Sequence, residues 1–107
     1  MTLIAEQTLD LADGNRKVVV RLFAPTSRPG EPGWMCRFEI GQPISYSLSV
    51  QGETSLQALA LALKGLSAAL YGSELYIQGR LGFLGDFGSY LGIPAPQVFL
   101  DEAPFPF

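Results

Sequence analysis

The sequence predicts an α+β two-layer domain: a four-stranded antiparallel meander packed by one long helix, with an irregular Gly/Pro/aromatic-rich C-terminal segment. Three observations carry this. Four segments in residues 1–52 alternate apolar and polar side chains with period 2, as half-buried strands do. Turn-forming Gly, Asn and Pro separate them, which favours antiparallel neighbours. Residues 55–70 then hold six Leu and five Ala with one charge, Lys64. A surface helix normally pairs one apolar stripe with a charged back, so more than one face of this one is expected to be covered.

The first strand, Leu3–Leu11, puts Leu3, Ala5, Leu9 and Leu11 on one side and Glu6, Thr8 and Asp10 on the other. Asp13, Gly14 and Asn15 supply turn chemistry. The second, residues 17–24, sets Val18, Val20 and Leu22 against Lys17 and Arg21. Residues 24–33 carry three Pro and two Gly and read as an exposed loop. The third strand, Trp34–Ile40, alternates Trp34, Cys36, Phe38 and Ile40 with Met35, Arg37 and Glu39. Gly41, Gln42 and Pro43 make a tight turn. The fourth, residues 44–51, sets Ile44, Tyr46, Leu48 and Val50 against Ser45, Ser47, Ser49 and Gln51. The apolar face is expected to bury Leu9, Leu11, Val18, Val20, Leu22, Trp34, Cys36, Phe38, Ile40, Tyr46, Leu48 and Val50.

Thr54 is a good N-cap, and Gln57 three residues on completes a capping box. At 100° per residue Leu56, Leu59, Leu63, Leu66 and Leu70 form a stripe expected to lie on the sheet. Ala58, Ala62, Gly65 and Ala69 then share a second face. Small residues in a row let another backbone approach closely, and a mid-helix Gly costs about 1 kcal/mol relative to Ala. That face is expected at a two-fold dimer contact, although Ala is also simply the best helix former. Past residue 72 the pattern weakens. Leu75, Tyr76 and Ile77 suggest a short strand, and Gly79, Gly82, Gly85 and Gly88 recur every third residue, too few and without Pro for a triple helix. Pro at 94, 96, 104 and 106 excludes a continuous helix in the tail. Its Val98, Phe99, Leu100, Phe105 and Phe107 are too apolar for a free end, so the tail is expected to dock on its own domain or a neighbour, with Phe105 and Phe107 as interface residues.

At 107 residues the chain is read as one domain: sheet over 1–52, helix over 54–71, irregular segment and arm over 72–107. Hydrophobic residues make up 48% and charged residues 16%, which argues against disorder. A net charge of −3 without a basic cluster argues against binding nucleic acid or an anionic membrane surface. One cysteine excludes an intrachain disulfide framework. The N-terminus lacks the features of a signal peptide, and the longest apolar run, residues 58–63, is far short of the ~20 residues of a membrane span. A cytoplasmic protein is expected.

Chemistry is sparse. The sequence has no His and one Cys, so neither a metal site nor a Ser/Cys–His pair is indicated, and no cofactor is expected. Cys36 falls on the inward set and is read as a small hydrophobe. No spacing singles out two carboxylates for acid–base work. Asp86, Phe87 and Gly88 match the kinase metal-binding triplet without any companion motif, and the glycine series lacks the context of a phosphate loop. Catalytic, metal and cofactor-binding residues are accordingly none. Seven of the aromatics follow residue 75. They make the second half of a core, or line a small-ligand pocket.

Three segments together resemble a family of small uncharacterised bacterial single-domain proteins, a domain of unknown function. They are an R-x-F-x-P strand end (Arg21, Phe23, Pro25), a W-x-C-x-F-x-I strand (Trp34, Cys36, Phe38, Ile40) and an S-L-Q-A-L helix start (Ser55, Leu56, Gln57, Ala58, Leu59). The resemblance implies a bacterial, cytoplasmic setting and carries over no functional residue. The expected function is a non-catalytic, self-associating protein-interaction domain, a homodimer with room for a heterologous protein partner. An immunity-type protein that neutralises a toxin is one concrete version, by class analogy. The alternative is a small-ligand-binding protein or weak enzyme using the aromatic C-terminal half.

Overall fold

The computed structural model describes residues 1–14 and 16–93. The expected tail contacts, Phe105 and Phe107 among them, lie outside the described residues. Four strands run in chain order, β1 (Leu3–Leu11), β2 (Lys17–Phe23), β3 (Trp34–Ile40) and β4 (Tyr46–Gly52). Helix α1 (Ser55–Tyr71) follows, then one turn of helix α2 (Glu74–Ile77), and a short hairpin of β5 (Leu81–Phe83) and β6 (Asp86–Phe87). The sheet order is β4-β3-β2-β1-β5-β6, and every pairing is antiparallel.

The four-stranded meander is present, but the sheet has six strands. The extra pair comes from the segment expected to be irregular. Antiparallel β5 continues the sheet beyond β1, pairing Asp10 with Gly82 and Leu11 with Leu81. The Asp10 carboxylate fixes the hairpin by accepting a hydrogen bond from Gly85 N at 2.9 Å while it pairs with Lys17. Both partners hold its pKa below the ordinary carboxylate value, Lys17 chiefly. The strand expected at Leu75, Tyr76 and Ile77 is instead α2. Ser73 explains this, because its hydroxyl accepts from Tyr76 N and caps the turn.

Alternation places the core as expected on β1–β3. Leu9, Leu11, Val18, Val20, Leu22, Cys36, Phe38 and Ile40 are buried, while Trp34 and Val50 are half-buried. The opposite face carries ion pairs, Arg21 with Glu6 at 2.8 Å and Arg37 with Glu39 at 3.0 Å, beside apolar Val19, Phe23 and Met35. Leu3 and Ala5 at the start of β1 are exposed, as are Tyr46 and Leu48 on β4. Of these, Tyr46 and Leu48 are corrections to the expected core. All four mark the ends and rim of the apolar face that α1 does not reach.

The helix begins as its capping residues dictate. Thr54 Oγ1 accepts from Gln57 N at 3.0 Å, and Gln57 Oε1 accepts from Glu53 N at 2.6 Å. Its buried face, however, is shifted from the leucine stripe toward the small residues. Ala58 and Ala62 are fully buried, with Leu66 and Leu70 beside them, whereas Leu56 is 73% exposed and Leu63 is exposed too. Relative to the expected leucine stripe the helix is rolled by roughly 60°. The cause is close approach. A Cβ on Gly65 would sit 3.4 Å from Phe38 Cε1, and one on Gly52 would sit 2.5 Å from Ala58 N. The helix therefore lies on β3 and β4 with small residues at the contact, over the bulk of Phe38. Leu63, Leu66 and Leu70 flank it on the β1–β2 side, around a cleft shared with Val20, Leu22 and Ile93.

The expectation that α1 has a second covered side holds in its C-terminal half. Ser67, half a turn round from Ala58, is 2% exposed. Nearby, the Tyr71 hydroxyl donates to Ile93 O at 2.6 Å and accepts from Leu91 N at 2.9 Å, which ties residues 91–93 to the helix. The Gln7 side-chain amide donates to Leu91 O and ties the same segment to β1.

Candidate interaction surface

Of the residues expected at a dimer face, Ala58 and Ala62 are not available to a partner. Ala58 and Ala62 are in the core, Gly65 faces Phe38, and Ala69 packs against the same core. The inference that this face permits close approach was sound, but the surface that approaches is the protein's own sheet. The dimer contact is therefore corrected at Ala58 and Ala62, while Gly65 and Ala69 are half-buried and border the cleft between β4 and α1.

The helix, turned this way, leaves the rim of the sheet uncovered. On β4, Tyr46 and Leu48 point to the helix side yet are 43% and 42% exposed. With Pro43, Ile44, Ala68 and Leu75 they line an open cleft of about 780 Å³ between β4 and the C-terminal half of α1. Phe38 supports its floor, its ring 5.9 Å from that of Tyr46. Two polar residues reach the cleft, Ser73 and Glu74. The Ser73 hydroxyl is already engaged, donating to Leu70 O at 2.7 Å and accepting from Tyr76 N. What remains is an apolar surface with one carboxylate at its border.

Sequence reasoning assigned Tyr46 and Leu48 to the buried face and missed their exposure. The signal that locates them is β4's place at the edge of the sheet, and alternation along one strand does not reveal strand order. The aromatics after residue 75 do not gather into one pocket. Tyr76 packs edge-on against Tyr71 at 4.9 Å, Phe83 is half-buried, and Phe87 and Tyr90 are exposed. Tyr46 is the aromatic in the lining of the large cleft.

Cys36 is where alternation puts it, fully buried between β2 and β4, with its Sγ donating to Phe23 O at 3.3 Å. Burial raises its thiol pKa. Among the described residues no three His, Cys, Asp or Glu side chains gather as a metal site would require. No described helix is long and apolar enough to cross a membrane.

No curated protein and no solved structure matches the chain. Residues 5–95 do match a family profile, across the whole meander, α1 and the β5–β6 hairpin, and the chain thereby belongs to the family described as Domain of unknown function (DUF6968).

Proposed function

We propose that this protein is a non-catalytic interaction module that self-associates through the uncovered rim of its sheet. One observation carries the reading: Tyr46 and Leu48 stay more than two-fifths exposed beside an apolar cleft of about 780 Å³. Contiguous exposed apolar surface of this kind marks interaction sites on proteins that are otherwise well packed. A bacterial, cytoplasmic setting is supported by the free, buried thiol of Cys36. An immunity-type role, with a toxin as heterologous partner, is the concrete version we favour, supported by the net charge of −3.

The cleft's volume also falls in the range of small-molecule sites, and this favours the second reading, a ligand-binding protein. Such sites need several polar groups converging on the ligand. Here the Ser73 hydroxyl is committed to capping α2, so interaction with protein is the better account. Light scattering on the protein from micromolar to millimolar concentration tests the reading. A mass that rises to twice that of the chain is expected, and a monomer throughout refutes self-association.

A further inference from the structure

We propose that the second copy docks along β4, so that two sheets join as one across a two-fold axis at Leu48; this rests on the self-association reading above. The first argument is the state of the edge. Monomeric proteins protect edge strands with charges, Pro, bulges or short length. At the far edge, β6 has two residues, one of them Asp86. β4 has none of these protections. It pairs with β3 in unbroken register from Tyr46 to Gly52, and its seven residues include no charge and no Pro.

The second argument is the symmetry of the strand, which selects this chain as its own partner. Around Leu48 the sequence runs Tyr46-Ser47-Leu48-Ser49-Val50. An antiparallel two-fold at Leu48 sets Leu48 against Leu48 of the other copy, Ser47 against Ser49, and Tyr46 against Val50. Ser–Ser hydrogen bonds and aromatic–β-branched contacts are favourable cross-strand pairs. Because β4 is uncharged, the axis brings no like charges together, which a net-negative chain must otherwise contend with. Tyr46 and Leu48 also line the cleft, so joining the strands brings the two clefts side by side across the axis.

Charge variants at the axis test this. Leu48→Lys and Leu48→Glu each place like charges against themselves, and either alone should weaken dimerisation more than tenfold while thermal unfolding shows a folded chain. Mixed one to one, they should form a heterodimer. An independent check needs no change of charge. Opposite residues in an antiparallel pair have Cα atoms about 4.5–5.5 Å apart, within disulfide range. Under mild oxidant Leu48→Cys should therefore yield a covalent dimer, while Leu56→Cys, exposed on the helix, should not at the same concentration. A wild-type dimer that survives both charge variants, or that leaves Leu48→Cys uncrosslinked, overturns the β4 assignment and leaves self-association standing. A wild type that is monomeric at millimolar concentration overturns both.

Discussion

Gly65 carries the helix onto the sheet. Its missing side chain lets α1 settle over the Phe38 ring, and the 3.4 Å from a built Cβ to Phe38 Cε1 is ordinary van der Waals contact. One methyl fits there and a branched side chain does not. Gly65→Ala is therefore expected to stabilise the protein by up to about 1 kcal/mol through helix propensity, and Gly65→Leu to destabilise it by about 1–3 kcal/mol through overpacking. Denaturant titration of the pair checks both signs. Cys36 is the other residue whose behaviour follows from its surroundings. Buried and bonded to Phe23 O, with its pKa raised by burial, it should react with a thiol reagent only through opening of the fold. Labelling of native protein at pH 8 should be at least a hundredfold slower than in denaturant. Its titration has a defined sign: the unfolded thiol ionises first, so the stability from keeping Cys36 neutral is intact below the ordinary value of 9.0 and falls as pH rises through the folded value.

The β5–β6 hairpin is held to the rest of the sheet by short pairing with β1 and by Asp10. With its pKa lowered by Lys17 and by the Gly85 amide, Asp10 contributes stability that is present above its ordinary value of 3.8 and is lost as pH falls through the folded value. In acid, the protection factors of Gly85 and its hairpin neighbours, corrected for the slower intrinsic exchange, should fall before those of β2 and β3. Asp10→Asn should show the lower protection already at neutral pH, read by NMR. This hairpin was the least legible element in the sequence, because three- and two-residue strands have no room for a period to appear. The first four strands were legible, with the bounds of β1 and β3 as expected, since alternation runs through most of residues 3–11 and 34–40 despite Gln7 in the inward set and a bulge between Leu3 and Ala5. The helix was legible in extent, from Thr54 to Tyr71, but not in orientation. Leu and Ala occur on every side of it, and the shape of the sheet beneath, set by Phe38, decides which face turns down. The candidate surface was hidden for the same reason: with α1 turned this way, Tyr46 and Leu48 on the edge strand stay partly uncovered.

For the whole molecule, the proposed self-association makes stability depend on concentration. If the assembly joins two sheets, its unfolding midpoint must rise with protein concentration, since mass action favours the folded dimer. Scanning calorimetry over a hundredfold range of concentration is expected to show a rise of several degrees, and Leu48→Lys is expected to remove that dependence. The crossing of α1 from β4 at one edge to β5 beside β1 has a different consequence, in the time the chain takes to be made. Each of the first three pairings joins consecutive strands, but the β1–β5 pairing joins residues roughly seventy positions apart. At about 5–20 residues per second of synthesis, the Asp10–Leu11 end of β1 waits about 4–14 s for its partner after it emerges. During that interval the strand depends on its own charges, Glu6 and Asp10, to discourage pairing with a neighbouring nascent chain. Those two carboxylates are guardians of a half-made protein before they are partners of Arg21 and Lys17 in the finished one.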